Sequence, residues 1–440
     1  MTSVNVTGGT INLDGDIDTS GASGIVLSGA KNLTADVNLT TVNALVDLDD
    51  GAINGAQALA VDAGTGTVSL GDVGQGTALA SVDVTGGTIN MGGDISTTGG
   101  AGIVLDGNKV LNSVSGQVTL SATDGPIDLE TGTINGAQVL NLDAGTGTVS
   151  LGLAGNTTAL GGVNVLSAGN INLTGNVTTN GDNGMDFVAD AITLGTVDPI
   201  DPDIEFGVVL DSNNENISFA TDNLQTLGDS TIDADTATVS LAPGDGNSAE
   251  TIEVCDGASC TGTETVQYDV GGLATVTAGQ FQIGRAAHTG SITLNTANPG
   301  FNLSLENGGT GGITVAGDFT GSGLALNSGS GGISLNADIS TAGGDATFSD
   351  DVTLGGGAGV TINTAGGDAE FQGDVNGGEA LTVTAGAGGV TLNNVGTRTA
   401  VDALSVTAGT IGLGGDITAN GNVTLSGAKT LSSDVTIDSS

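Results

Sequence analysis

Tryptophan is absent from the 440 residues, tyrosine occurs once, and aromatic side chains make up only 2%. Cations are almost as scarce. Five Lys or Arg stand against 49 Asp or Glu, for a formal net charge of −44. Five scattered cations cannot form the basic stripe that contacts phosphates, so a nucleic-acid partner is excluded. Five prolines and no Gly-X-Y period exclude collagen. No apolar run approaches the ~18 residues of a membrane-spanning helix. A disordered acidic tail is also excluded, because 38% of residues are hydrophobic and the mean hydropathy is +0.20. Glycine is what the chain has in abundance, with 79 residues. Each would cost a helix roughly 1 kcal/mol relative to Ala, so a long helical fold is disfavoured.

Repeats account for that composition. SVNVTGGTINL at 3–13 returns as SVDVTGGTINM at 81–91, and GIVL at 24–27 returns at 102–105. INGAQ at 53–57 returns at 134–138, and DAGTGTVSL at 62–70 returns unchanged at 143–151. LSGAK occurs at 27–31 and again at 425–429. Inside these long blocks lies a shorter period. ISTAGGDATF at 339–348 becomes INTAGGDAEF at 362–371. Tetrads such as TINL, GIVL and TVSL alternate apolar with small polar residues, and Gly, Asn and Asp punctuate them, which marks short strands and corners. One such strand cannot bury its apolar face alone, but stacked copies can. The expected fold is therefore all-β, a right-handed parallel β-helix (β-solenoid) with coils of about 19–23 residues. A narrow aliphatic interior explains the missing aromatics, and tight corners explain the glycine. Roughly 20 coils at ~4.8 Å would extend on the order of 100 Å.

Three regions follow. Regular repeats occupy 1–196 and repeats return over 271–440. Between them, 197–270 holds VDPIDPDIEF (197–206), both cysteines and the only tyrosine. ETIEVCDGASCTGTETVQYDV (250–270) has the pattern of a β-hairpin thrown out from the coils, two alternating strands around a Gly/Ser/Asp turn. No signal-peptide pattern opens the chain. Both ends fall inside repeat units, which suggests an excerpt of a longer polypeptide, or ends that stack head to tail.

The chain resembles the filamentous haemagglutinin-like exoproteins and related large repetitive bacterial adhesins. The resemblance rests on the coils with GTINL, GIVL and TVSL strands, on AGQFQIGRAAHTGSITL (278–294), and on VSLAPGDGNSAETIEV (239–254) before it. It implies a secreted β-helical rod at a cell surface.

Few residues are candidates for chemistry. Cys255 and Cys260 sit at the tip of the expected hairpin, and a disulfide closing that small loop suits an oxidising, extracellular setting. A metal site would need further thiols or histidines nearby. His288, the only histidine, lies near Arg285 and reads as a solvated turn residue. No G-x-S-x-G elbow supports a catalytic triad around it. All three lysines, Lys31, Lys109 and Lys429, occupy one repeat position. They read either as corner residues answering the acidic field or as a register of cations along one edge. Asp14, Asp16, Asp18 and Asp47, Asp49, Asp50 form acidic clusters, yet no EF-hand or calcium-repeat pattern accompanies them. No cofactor is expected beyond weakly bound calcium in a diffuse cation atmosphere. Sequons at Asn5, Asn32, Asn38, Asn172 and Asn422 follow from an Asn- and Thr-rich composition.

The expected function is a non-catalytic structural or adhesive rod or filament subunit, extracellular or on the cell surface. Its partners would be further copies of itself, or a surface receptor or glycan. The alternative is a polysaccharide-active β-helix enzyme, a lyase or hydrolase, whose paired carboxylates would work in a groove. Ice binding is set aside, because GTGTV at 64–68 and 145–149 does not recur in every coil.

Overall fold

The computed structural model describes residues 1–197, 205–244, 248–262, 264–273 and 275–439. Among these, the only helical element is a single 3-10 turn, Gly257–Ser259. The chain forms two compact units, Met1–Asp235 and Thr236–Ser440, divided inside the irregular region. Each is a β-solenoid, and together they make about 19 turns. The expected all-β parallel architecture is therefore present.

The coil period can be read from the strand registers. In the first unit Val4 pairs with Ile25, Ile25 with Val46, Val46 with Val68, and Val68 with Ile89. In the second, Phe281, Leu303, Leu324, Ala346, Ala369, Val390 and Ile411 pair in succession. Wider steps mark insertions, as where Met185 pairs with Ile217 and Thr238 with Gln280. Alternation is what makes the stack work. In Thr67–Leu70 and Ile333–Leu335 the aliphatic residues are buried and the Thr and Ser between them are not. Each Val, Leu or Ile so buried contributes about 1.5–3 kcal/mol. Phenylalanine enters the same interior in stacked pairs, Phe187 on Phe219 at 5.6 Å and Phe348 on Phe371 at 4.7 Å between ring centroids.

Corners use a second device. An Asp or Asn side chain in one coil accepts a hydrogen bond from a backbone N–H of the coil that follows. Asp16 Oδ1 takes the Asn38 N–H at 2.9 Å, and Asp36 takes that of Ala58 at 2.9 Å. Asn135 takes two, from Thr157 and Thr158 at 2.9 and 3.0 Å. The same pattern reappears in the second unit, where Asp338 accepts the Thr361 N–H at 2.7 Å and Asp416 accepts that of Thr436 at 2.8 Å. A corner N–H with no strand partner would otherwise rely on water. Many of the carboxylates behind the net charge of −44 therefore do structural work.

One strand pair among those described runs antiparallel: Thr196 opposite Phe206 and Val197 opposite Glu205. The residues joining them, including the two prolines of VDPIDP, lie outside the described set.

The expected hairpin at 250–270 is not formed. Ile252–Cys255 and Val266–Asp269 pair in parallel, Ile252 with Val266 and Cys255 with Asp269. Ile252–Cys255 also pairs in parallel with Ile292–Leu294 on its other side. It is thus an interior strand, buried throughout, and the segment is a miniature coil within the stack. Alternation and a polar turn are common to hairpins and coils, so the sequence pattern could not separate them. The choice is made by the neighbouring strand, which offers a parallel edge, and by apolar residues on both strands. Tyr268 is 2% exposed, which a projecting hairpin could not achieve.

Candidate functional site

The miniature coil is the most elaborated structure in the chain. Cys255 and Cys260 are joined by a disulfide with a Cα–Cα distance of 5.0 Å. The pairing agrees with the sequence expectation, but it closes the sharp return of a coil and not a hairpin tip. The 3-10 turn Gly257–Ser259 lies within the loop. Ser259 Oγ receives the Asp256 N–H at 2.8 Å and donates to the Thr296 carbonyl at 2.6 Å, tying the loop to the main stack. Asp269 Oδ1 accepts the Gly257 N–H at 3.0 Å.

Glu253 anchors the loop from beneath. It is completely buried, and its carboxylate accepts from Thr261 N–H and Thr261 Oγ1, both at 2.7 Å, and from Gly262 N–H at 2.9 Å. Gln267 Nε2 donates at 2.5 Å, and Asn295 Nδ2 also donates. Burial alone would raise the carboxyl's pKa. The hydrogen bonds from Thr261, Gln267 and Gly262 outweigh it and hold the group at about 2. Glu253 was not singled out by sequence reasoning. The available signal was a Glu inside an apolar strand, IEVC, in a chain with few glutamates.

Outward from this anchor the loop presents Thr261, Gly262, Thr265 and Gln267 to solvent. Beside it, Val270, Leu273, Val276, Pro299 and Phe301 line an open cleft of about 300 Å³. Phe301 is half-buried and packs on Phe281 at 4.7 Å.

The structure corrects the reading of His288. It is not solvated but fully buried, at a turn where its N–H bonds the Arg285 carbonyl at 2.8 Å. Neither ring nitrogen has a hydrogen-bond partner among the described residues. Burial first, and the nearby Arg285 second, push its pKa down, so the ring is neutral and serves as packing.

The lysines depart furthest from expectation. Lys31 and Lys109 are each 1% exposed, so they belong to the core and not to a corner or an outer edge. Lys31 stacks between Ile11 and Ile53, and Lys109 between Ile89 and Ile134. Lys429 occupies the same position on Ile411, but among the described residues its strand Val423–Leu431 pairs on that one side only, and Lys429 is exposed. Parity was the missed clue. Lys31 shares the inward phase of Leu33 in a strand whose polar partners face outward.

The acidic triplets do not gather as sequence spacing would allow. Asp16 is spent on the Asn38 N–H, and Asp47 Oδ1 faces the Asp49 N–H at 3.4 Å. Among the described residues no group of three or more His, Cys, Asp or Glu is arranged to hold a metal ion. Coil stacking instead brings Asp16 and Asp18 beside Asp62 and Asp83 from later coils, around an open cleft of about 410 Å³. Burial, and then the neighbouring Asp106, raise the pKa of Asp83.

No family model, curated protein or solved structure matches this chain.

Proposed function

We propose that the chain is a structural and adhesive filament subunit that works outside the cell or at its surface. The observation that carries this reading is the solenoid itself, about 19 turns of stacked parallel strands whose corner carboxylates and amides are taken up by backbone N–H groups of the next coil. Such a stack offers an extended repetitive surface for contacts with further copies or a receptor. The disulfide supports an oxidising compartment. The polar rim of the miniature coil and the Phe301 cleft are the surfaces best suited to meet a receptor or glycan. Light scattering and negative-stain microscopy across protein concentration test the assembly. Concentration-dependent filaments are expected. A monomer at every concentration would sink the reading.

A second reading has one observation in its favour. The cleft around Asp16, Asp18, Asp62 and Asp83 presents several carboxylates, one with a raised pKa, as a glycoside hydrolase requires. Reducing-sugar release from acidic and neutral glycans, abolished by Asp83→Asn, would favour it over the structural role.

A further inference from the structure

The buried lysines end in a site that recurs. Lys31 Nζ donates to three main-chain carbonyls: Leu27 at 3.4 Å in its own strand, and Leu48 at 2.9 Å and Asp50 at 2.6 Å in the next coil. Lys109 Nζ donates to Leu105 at 3.2 Å in its own strand, and to Leu129 at 3.1 Å and Thr131 at 2.5 Å in the next coil. The three acceptors match the three N–H bonds of an ammonium. Asp50 in one cage is Thr131 in the other, yet the same carbonyl serves. The cage is therefore a property of the backbone and does not depend on a particular carboxylate.

Its shape comes from a local irregularity. The strand registers shift between Val104 and Lys109, and again between Leu129 and Thr133 in the coil above. Gly29 and Gly107, with φ of 122° and 143°, allow the chain to turn there. At Lys31 the glycine also contributes to the cage: the Gly29 N–H donates to the Asp50 carbonyl at 3.1 Å, so that oxygen is shared between the turn and the ammonium. Burial lowers the pKa of both lysines, that of Lys109 to about 8, while Asp50, Asp49 and Asp47 at Lys31 and Asp106 and Asp128 at Lys109 oppose it. No carboxylate makes an ion pair with either lysine, since the ion pairs found among the described residues belong to Arg398.

We propose that this three-carbonyl cage is a binding site for a primary ammonium, which the protein fills with its own lysine at two positions, and that shortening the lysine opens it to a free alkylammonium ion. The tethered cation bridges two coils and selects which strand stacks on the lysine's own.

Lys109→Ala tests this directly. Its melting temperature should fall, and propylammonium chloride should restore more than half of the loss in a saturable way. Tetramethylammonium at equal ionic strength, which has no N–H, should restore none. A folded variant indifferent to propylammonium, or rescued equally by both salts, would overturn the proposal. Should Lys109→Ala fail to fold, the parent protein decides the matter. With only three lysines, ¹⁵N-lysine labelling yields three side-chain signals. Lys31 and Lys109 should show ammonium N–H correlations at neutral pH, with hydrogen exchange at least ~100-fold slower than at Lys429. Neutral amine shifts, or exchange as fast as at Lys429, would refute the cage.

Discussion

Replacing Glu253 by Gln should loosen the miniature coil with little effect elsewhere. The parent carboxyl is held at about 2 against an ordinary 4.5, a difference worth at most ~3.4 kcal/mol at neutral pH. The loop above it is open to solvent at Thr261 and Gly262, so screening reduces the contribution to about 2 kcal/mol. An amide offers one acceptor oxygen and turns an NH₂ towards groups that are themselves donors. At least two of the hydrogen bonds are then lost. Because the folded carboxyl is depressed, its stabilisation is fully present above the ordinary 4.5 and is lost as pH falls towards 2. The difference between parent and Glu253→Gln should therefore be largest at pH 7 and should shrink through that window. Hydrogen exchange across 252–269 gives the local opening free energy, and urea melts give the global one. A variant within ~0.5 kcal/mol of the parent in both at pH 7 would refute the reasoning. So would a difference that stays constant down to pH 2.

Three further outcomes are expected. Cys255→Ser with Cys260→Ser should cost about 2 kcal/mol, because the closed loop is short, and faster proteolysis of 252–269 would report it. His288→Phe should flatten the acid slope of stability. The neutral buried imidazole takes up a proton only on unfolding, so the parent loses stability as pH falls below the ordinary 6.5, which thermal melts at stepped pH would show. Gly29→Ala should cost at least about 2 kcal/mol by thermal melting, since its φ is 122° and a Cβ would lie 1.8 Å from the Gly8 carbonyl oxygen.

The coils themselves were legible because their information is local and repeated. A period-2 strand followed by a Gly or Asn corner, restated every 19–23 residues, has one economical packing. The buried face of TVSL at 67–70 follows from alternation alone. Where the chain departs from the period, local pattern loses its force. ETIEVCDGASCTGTETVQYDV reads equally well as a hairpin or a coil, and the parallel edge of Ile292–Leu294 decides between them. The partners of Glu253 come from 261, 262, 267 and 295, a set no spacing rule brings together. His288 looked solvated because a lone polar residue near Arg285 carries no periodic signal of burial.

The sequence by itself determined the solenoid and the disulfide partners, since only two cysteines exist. Only the tertiary structure decided what the charges are for. Three lysines at one repeat position are chemically identical in sequence. Two are buried because the coil that follows brings carbonyls over them, whereas Lys429 is exposed in a strand that pairs on one side among the described residues. The carboxylates likewise acquire their role from the coil that follows, whose N–H groups reach them only once the stack has formed.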